Sequence, residues 1–347
     1  MYRKFVLKRV MYGIFMYILM ILTFSILFNN VAEQTLHDQI EEQITQEIRA
    51  YKNMNKEQLV SIASEKRAQK NQKYHLDQPL VFRIFYRTLD TLMFNYGNAT
   101  ILKAANGDRE VINIELAYLP NTLILFATQV VITILIGIPM GLWAARKPNG
   151  LLDRTTSALS MITNGLPAWW LGLIMIMAFA YGPLGIFPSG GIHINPAPEG
   201  WNGVLDYLWH LSLPLITLVL LSIWGTAYLV RNIVLGNLQE DFVMAARARG
   251  IPERYVLLGH TLRTSMPAIL TIVILGLFSA ISGNIVFEII FGWPGLGKLY
   301  WVAIQGNDIP VLMGTLAIST LINILGFVIL DIIYGWLDPR IKVGGTA

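Results

Sequence analysis

The run Leu119–Trp143 reads LPNTLILFATQVVITILIGIPMGLW and carries no Asp, Glu, Lys or Arg. A helix needs about 20 apolar residues to cross the hydrocarbon core of a bilayer, and this run exceeds that length. It is one of a set. Comparable uncharged stretches lie at 10–29, 156–181, 207–230, 266–287 and 309–330. The chain has 347 residues, 54% hydrophobic and 14% charged, against about 25% charged in soluble domains. The mean hydropathy is +0.52. These values place the chain among all-α polytopic membrane proteins with six transmembrane helices.

The first stretch has a basic start, Arg3, Lys4, Lys8 and Arg9, followed by apolar residues from Val10 to Leu27. A cleaved signal peptide has an apolar region of roughly 7–15 residues and a small-residue cleavage site. This run is longer and is followed by Phe28-Asn29-Asn30, so an uncleaved transmembrane helix is expected.

Six spans put both termini on one side. Short linkers on that side hold Arg146, Lys147 and Arg154, then Arg231, Arg247, Arg249, Arg254 and Arg263, and the tail holds Arg340 and Lys342. The opposite linkers hold no Lys or Arg in 182–206 and only Lys298 in 288–308. The positive-inside rule makes the basic side cytoplasmic. Residues 30–118 then form a small external domain. Their own Lys and Arg do not oppose this, because long loops translocate largely regardless of charge. The expected organisation is 1–29 for the cytoplasmic start and first span, 30–118 for the external domain, and 119–347 for a five-helix core. In the external domain Leu36, Ile40, Ile44 and Ile48 form an i,i+4 stripe, which fits an amphipathic helix packing on its own domain or docking an external partner. Tyr and Trp at 169, 170, 207, 209, 293, 300, 301, 334 and 336 cluster near span ends, as interfacial belts do.

Enzymatic and metal chemistry find little footing. Cysteine is absent, which removes disulfides, thiolate metal sites and thiol nucleophiles. The histidines at 37, 75, 193, 210 and 260 lack metal-site spacing, and no Gly-x-Ser-x-Gly elbow occurs. No basic stripe suits nucleic acid. Gly292 to Leu299, GWPGLGKL, approaches the phosphate loop G-x-x-x-x-G-K-[ST] but has Leu299 where the hydroxyl belongs, and it follows a span rather than a strand. A Gly/Pro turn redirecting the chain is the expected meaning. Gly137-Ile-Pro-Met-Gly141 is a small-xxx-small pattern for close helix packing. Polar groups near the spans are Glu288, Asp331, Asn164, Asn284 and Asn323. Glu288, Trp293, Asn284 and Asn323 are candidate gate or pathway residues. For the asparagines, hydrogen bonding between helices is the alternative.

The longest cytoplasmic linker contains Asp241–His260, DFVMAARARGIPERYVLLGH. Gln239 to Arg249 has acidic residues at its start and basic ones at its end, matching a helix dipole. Gly250 suits a left-handed position just past a helix, and Pro252 the first turn of the next one. Phe242, Ala245, Ala246 and Arg249 share one face, small enough for another backbone to approach. A membrane-surface helix would present bulky apolar residues instead.

This segment resembles the EAA loop of ABC-importer permeases, in which Glu-Ala-Ala is followed by three residues and Gly. Ala245, Ala246 and Gly250 match. Met244 stands for the glutamate, and Arg263 stands where a proline is expected. Ala246-Arg-Ala-Arg-Gly250 is similar to the peptide-transporter branch. So are Leu76-Asp-Gln-Pro-Leu80, Leu119-Pro-Asn-Thr-Leu123, Glu288–Gly297 (EIIFGWPGLG), Ala303-Ile-Gln305 and Leu337-Asp-Pro-Arg-Ile341. The resemblance implies a permease in a bacterial cytoplasmic membrane, with 239–262 as the coupling helix region. It implies a second homologous permease subunit, two ATPase subunits holding ATP and Mg, and an external binding protein delivering peptide. Coupling would fall to Phe242, Ala245, Ala246, Arg247, Arg249 and Gly250, and the chain itself would hold no cofactor and perform no catalysis. A relative carrying nickel or a metal–chelator complex, and a membrane sensor or scaffold, are the alternatives. An ATP-independent carrier would want ionisable groups deep in the spans.

Overall fold

The computed structural model describes residues 2–49, 55–104, 107–183, 185–194, 196, 198–281 and 283–337. The last signature, Asp338 to Ile341, and the basic tail with Arg340 and Lys342 lie outside the described residues. Among those described, the elements are helical, joined by turns and one isolated bridge between Asn98 and Glu110. This follows from the solvent: in lipid each backbone N–H and C=O must be paired within the segment, which a helix achieves.

Among the described residues, five helices are by themselves long and apolar enough to span: Arg3–Leu27, Val111–Arg146, Gly200–Leu238, Glu253–Leu277 and Ile309–Ile333. The sixth is a bent pair, Leu151–Gly165 and Ala168–Tyr181, turned by 98°. The expected continuous span 156–181 is thus corrected to a broken one. Pro167 forces the break: it disfavours helical backbone in the residue before it, and Leu166 is extended at φ −93°, ψ 124°. The span expected at 266–287 is also interrupted. Its helix runs Leu262–Ile281, Gly283 takes φ +63°, and Asn284 caps a new short helix, Ile285–Ile290. The expected boundary at 119 falls inside a helix of 36 residues that begins at Val111.

The chain divides into two compact units, Met1–Ala117 with Leu299–Val328, and Tyr118–Lys298 with Ile329–Ala347. The first contains α1 (Tyr2–Leu27), α2 (Asn29–Ile48), α3 (Lys56–Lys73) and α4 (Leu80–Leu92). Its core joins Tyr17, Ile21 and Ala317, flanked by Phe24, Leu92, Tyr96, Leu321 and Ile324. The apolar stripe of α2 turns inward at Ile40 and Ile44, both buried, and α3 lies alongside. Arg67 donates to both oxygens of Glu41, while Lys70 and Lys66 pair with Glu47. Buried Asp308 receives the backbone N–H groups of Thr100, Ile101 and Leu102 at 3.1, 2.8 and 3.1 Å. Buried Glu115, just before the expected span, accepts from the Thr315 hydroxyl at 3.2 Å.

The second unit holds α5 from Tyr118 onward (the helix runs Val111–Arg146), α6 (Leu151–Gly165), α7 (Ala168–Ile176), α8 (Gly200–Leu238), α9 (Asp241–Ala248), α10 (Glu253–Tyr255), α11 (Leu262–Ile281) and α12 (Ile285–Ile290). Gly137 and Gly141 seat α5 against α8. A Cβ on Gly141 would come within 2.4 Å of the Ala227 carbonyl, and one on Gly137 within 3.1 Å of the Thr226 methyl. Close backbone approach is what small-xxx-small patterns permit. Buried Asp153 on α6 clamps Arg231 on α8 through Nε and Nη2 at 2.6 and 2.8 Å. Breaking a buried pair of this kind costs about 3–5 kcal/mol.

Candidate functional site

Two constructions in the second unit bear on function. The first begins at Glu240, whose extended backbone caps α9. The helix ends as the sequence requires. Gly250 is at φ +75°, its N–H donates to the Arg247 carbonyl at 2.9 Å, and the Ile251 N–H donates to the Ala246 carbonyl at 3.3 Å. These two bonds form a Schellman closure, completed by Ile251 and Ala246 meeting in one apolar cluster. Pro252 caps α10 rather than occupying its first turn. Across the turn, Arg247 holds Glu253 through Nη2 at 2.7 Å and Nε at 3.2 Å. That ion pair keeps the Arg247 guanidinium firmly charged. Beyond Tyr255, a π-helical stretch Val256–Thr261 runs into α11.

The face of α9 differs from the sequence expectation in one respect. Ala246 points inward together with Val243, which is fully buried. They join Leu142 and Ala145 of α5, Val230, Val234 and Leu238 of α8, Val256, Leu257 and Ile269. The outer surface is Phe242, Met244, Ala245, Ala248 and Arg249, with Phe242 41% and Met244 54% exposed. The reason is helical phase: 243 and 246 are i,i+3 neighbours, and Val243, which the alanine-based reading passed over, supplies the bulk that orients the helix. α9 is therefore a short rigid element with its underside packed on the ends of α5, α8 and α11. Of the two arginines, Arg247 is engaged with Glu253 and Arg249 is exposed.

The second construction explains the near-phosphate-loop. The loop does wrap an acidic group, but the group is the chain's own Glu288 carboxyl. Oε1 accepts from the Thr122 hydroxyl at 2.9 Å, and Oε2 accepts from the Lys298 N–H at 3.0 Å. Thr122 Oγ1 itself accepts the Leu296 N–H at 2.8 Å. Gly295 and Gly297 are required here, since a Cβ on either would lie 2.5 and 3.0 Å from Glu288 Oε2. Lys298 Nζ bonds the Gly292 carbonyl at 2.9 Å. Trp293, fully buried, donates Nε1–H to the Asn121 carbonyl at 3.0 Å, and Asn121 Nδ2 donates to the Pro294 carbonyl at 2.9 Å. Tyr207 completes the wall, its ring centroid 5.6 Å from that of Trp293 and its hydroxyl on Asn121 Oδ1.

Of the candidate pathway residues, the structure brings Glu288 and Trp293 together in this turn. Asn284 accepts the Phe287 N–H at 3.0 Å as the cap of α12. Asn323 belongs to the other compact unit, its amide donating to the Ser319 carbonyl at 2.8 Å. Sequence reasoning missed Asn121 and Thr122 as partners of this turn. They stand 166 positions from Glu288 in the case of Thr122, and no local pattern announces such a pairing. The one signal in the sequence is that Leu119–Leu123 and Glu288–Gly297 are both motifs of the same family resemblance.

Residues 137–343 match the family described as "Binding-protein-dependent transport system inner membrane component". The chain is 33% identical over 281 residues to the oligopeptide transport system permease protein AppB of Bacillus subtilis (strain 168), covering 81% of this chain and 86% of the relative. It is 32% identical over 290 residues to the probable D,D-dipeptide transport system permease protein DdpB of Escherichia coli (strain K12), covering 79% and 84%. It is 31% identical over 277 residues to the peptidoglycan transport system permease protein YejB of Agrobacterium fabrum, covering 78% and 74%.

Proposed function

We propose, for a chain that belongs to the family of binding-protein-dependent transport inner membrane components and is thus a multi-pass permease subunit of an ABC importer, that it forms half of the path of a peptide importer. It sits in a bacterial cytoplasmic membrane with both ends and α9 cytoplasmic and residues 30–118 outside. The other half is a second, homologous permease subunit. Two separate ATPase subunits hold ATP and Mg, and an external binding protein delivers di- or oligopeptides. This chain carries no cofactor of its own in that assembly.

The observation that carries the reading is α9. Its outer surface presents the bulky apolar Phe242 and Met244 beside the small Ala245 and Ala248, with Arg249 at its end, which suits insertion of two knobs into a groove on a partner. Its inner surface is packed against α5, α8 and α11. A push on α9 by a closing ATPase pair therefore reaches three spans at once, and the spans switch between two arrangements as packed helices do. Glu288 and Trp293 lie at the exit of α11 in the proposed outward half, where the tightly bonded turn acts as a fixed abutment beside the peptide path. Asn284, in the same unit, is assigned to that path, and Asn323 is a pathway candidate of the other unit.

The test is purification in mild detergent with identification of every accompanying chain, followed by ATPase assays. Two ATPase chains and a second permease should co-purify, with ATP hydrolysis stimulated by binding protein loaded with peptide. Stimulation by nickel-loaded binding protein alone, or recovery of a kinase in place of the ATPases, would overturn the peptide-importer assignment.

A further inference from the structure

Residues 80–92, LVFRIFYRTLDTL, form α4, a helix of 13 residues in the segment between the first two spans. At about 3.6 residues per turn, Val81, Phe85, Leu89, Phe82 and Tyr86 fall within one arc of about 140°. Arg83, Arg87, Thr88 and Thr91 fall on the other side. The two sides have opposite fates. On the polar side, Arg83 pairs with Glu33 at 2.7 Å and Arg87 donates to Asn29 Oδ1 at 2.7 Å, both on α2. Thr88 and Thr91 are buried, each hydroxyl satisfied by the carbonyl four residues back at 2.8 Å. The polar side thus faces protein. The apolar side is open at Val81, 75% exposed, and at Phe82 and Phe85, each 54% exposed, while Leu89 is half-buried and Tyr86 stacks on His75 with ring centroids 3.9 Å apart. This is the reverse of a helix on a water-soluble domain.

The position of α4 says what covers that side. Leu92, at its end, packs against the cluster of Tyr17, Ile21 and Ala317, and Phe24 of α1 packs against the same cluster. α1 is a membrane span, and Phe24 lies at its far end from the N-terminus. Around that end the exposed side chains of α1 are Leu22, Ile26, Leu27 and Thr23, whose hydroxyl is satisfied by the Leu19 carbonyl at 2.8 Å. The open face of α4 is therefore continuous with the lipid-facing surface of a span. Bulky aromatic and aliphatic groups on one side and cations on the other are the composition of a helix lying in the boundary between head groups and acyl chains.

We infer that α4 is an interfacial helix that seats Val81, Phe82 and Phe85 in the bilayer beside α1 and, through Arg83–Glu33 and Arg87–Asn29, ties α2 and α3 down to the lipid surface. The segment between the spans is then held at a set height above the membrane, independent of any substrate.

The chain has no cysteine, so single cysteines at 80–92 are unique sites for a nitroxide label without further engineering. The experiment uses the full-length chain with whatever subunits accompany it, in lipid nanodiscs, and reads collisions with oxygen and with a water-soluble nickel chelate. At Val81, Phe82 and Phe85 the oxygen-to-nickel ratio should exceed that at exposed Gln69 of α3 several-fold, approaching that at Leu19 of α1. At Thr88 and Thr91 both collision rates should be low. Because the readout is periodic over thirteen positions, loss of any one variant leaves the pattern intact. Nickel access at 81, 82 and 85 equal to that at Gln69 would place the face in water and overturn the inference. Shielding from both reagents at those positions would place a protein partner there and overturn it equally.

Discussion

Glu288 Oε1 and the Thr122 hydroxyl meet at 2.9 Å with both side chains buried, and the same hydroxyl accepts the Leu296 N–H. One small side chain on α5 thus satisfies a carboxyl of α12 and a backbone N–H of the turn that follows it. Thr122→Val keeps the shape and removes both bonds, leaving buried partners unsatisfied at a cost of about 1–3 kcal/mol. The purified protein should melt at lower temperature, while Thr122→Ser should stay near wild type. Equal melting of the valine and wild-type proteins would show that the turn is not held this way.

The two faces of α9 should separate folding from transport. Val243 is fully buried, and Val243→Asp would bury an unpaired charge at a cost of several kcal/mol, so the protein should be lost from membranes. Ala245→Trp and Arg249→Glu alter only the exposed surface. They should leave membrane abundance and melting within about 0.5 kcal/mol of wild type while cutting peptide uptake at least tenfold. Quantitative immunoblotting beside uptake of labelled peptide makes the comparison. Normal uptake by both surface variants would remove α9 from the coupling role.

Gly250 at φ +75° closes α9. Alanine there adopts a left-handed backbone at a cost of about 1–2 kcal/mol, and asparagine pays less. Gly250→Pro is excluded by φ and also loses the N–H given to the Arg247 carbonyl. Uptake per molecule in the membrane should therefore fall in the order glycine, asparagine, alanine, proline, with proline inactive. An alanine variant better than asparagine would contradict the left-handed closure.

The α2–α3 pair should be sensitive to acid. Hydrogen bonds from Arg67 hold the Glu41 carboxyl below the usual carboxylate range, and those from Lys66 and Lys70 do the same for Glu47. A depressed folded-state pKa means stabilisation present at neutral pH and lost as pH falls through the carboxylate range toward the folded values. Amide exchange in residues 29–48 and 56–73 should therefore accelerate relative to α5 between pH 7 and pH 3. Added salt at pH 7 should act in the same direction, because exposed pairs are screened. Protection unchanged across this range would assign the pairing of these helices to their apolar stripe alone.

Much of the architecture was legible because the bilayer imposes it. Uncharged runs of spanning length have one stable backbone arrangement, and the left-handed Gly250 follows from a helix with charges ordered along its dipole. What escaped the reading was local exception. Pro167 bends the third span by 98°, since a proline restricts the residue before it whether or not the surrounding run is apolar. Gly283 and Asn284 interrupt the fifth, where a hydropathy window averages over a short break. Ala246 turned inward because Val243 outweighed it, and a face of alanines carries too little bulk to set a helix's rotation.

By itself the sequence determined the membrane class, the number of apolar segments, the helix–turn–helix form of 239–262 and the motifs that mark its family. Each is a matter of composition or spacing within a few turns. Only the tertiary structure decided that the Gly292–Lys298 loop holds a carboxylate of its own chain, that Thr122 and Asn121 close it, and that Val243 and Ala246 key α9 into three spans. Those are contacts between residues far apart in the chain. A lone sequence specifies the donors and acceptors that could make them, but the pairing is chosen by which helices lie side by side and by the cost of leaving a buried N–H or carboxylate without a partner.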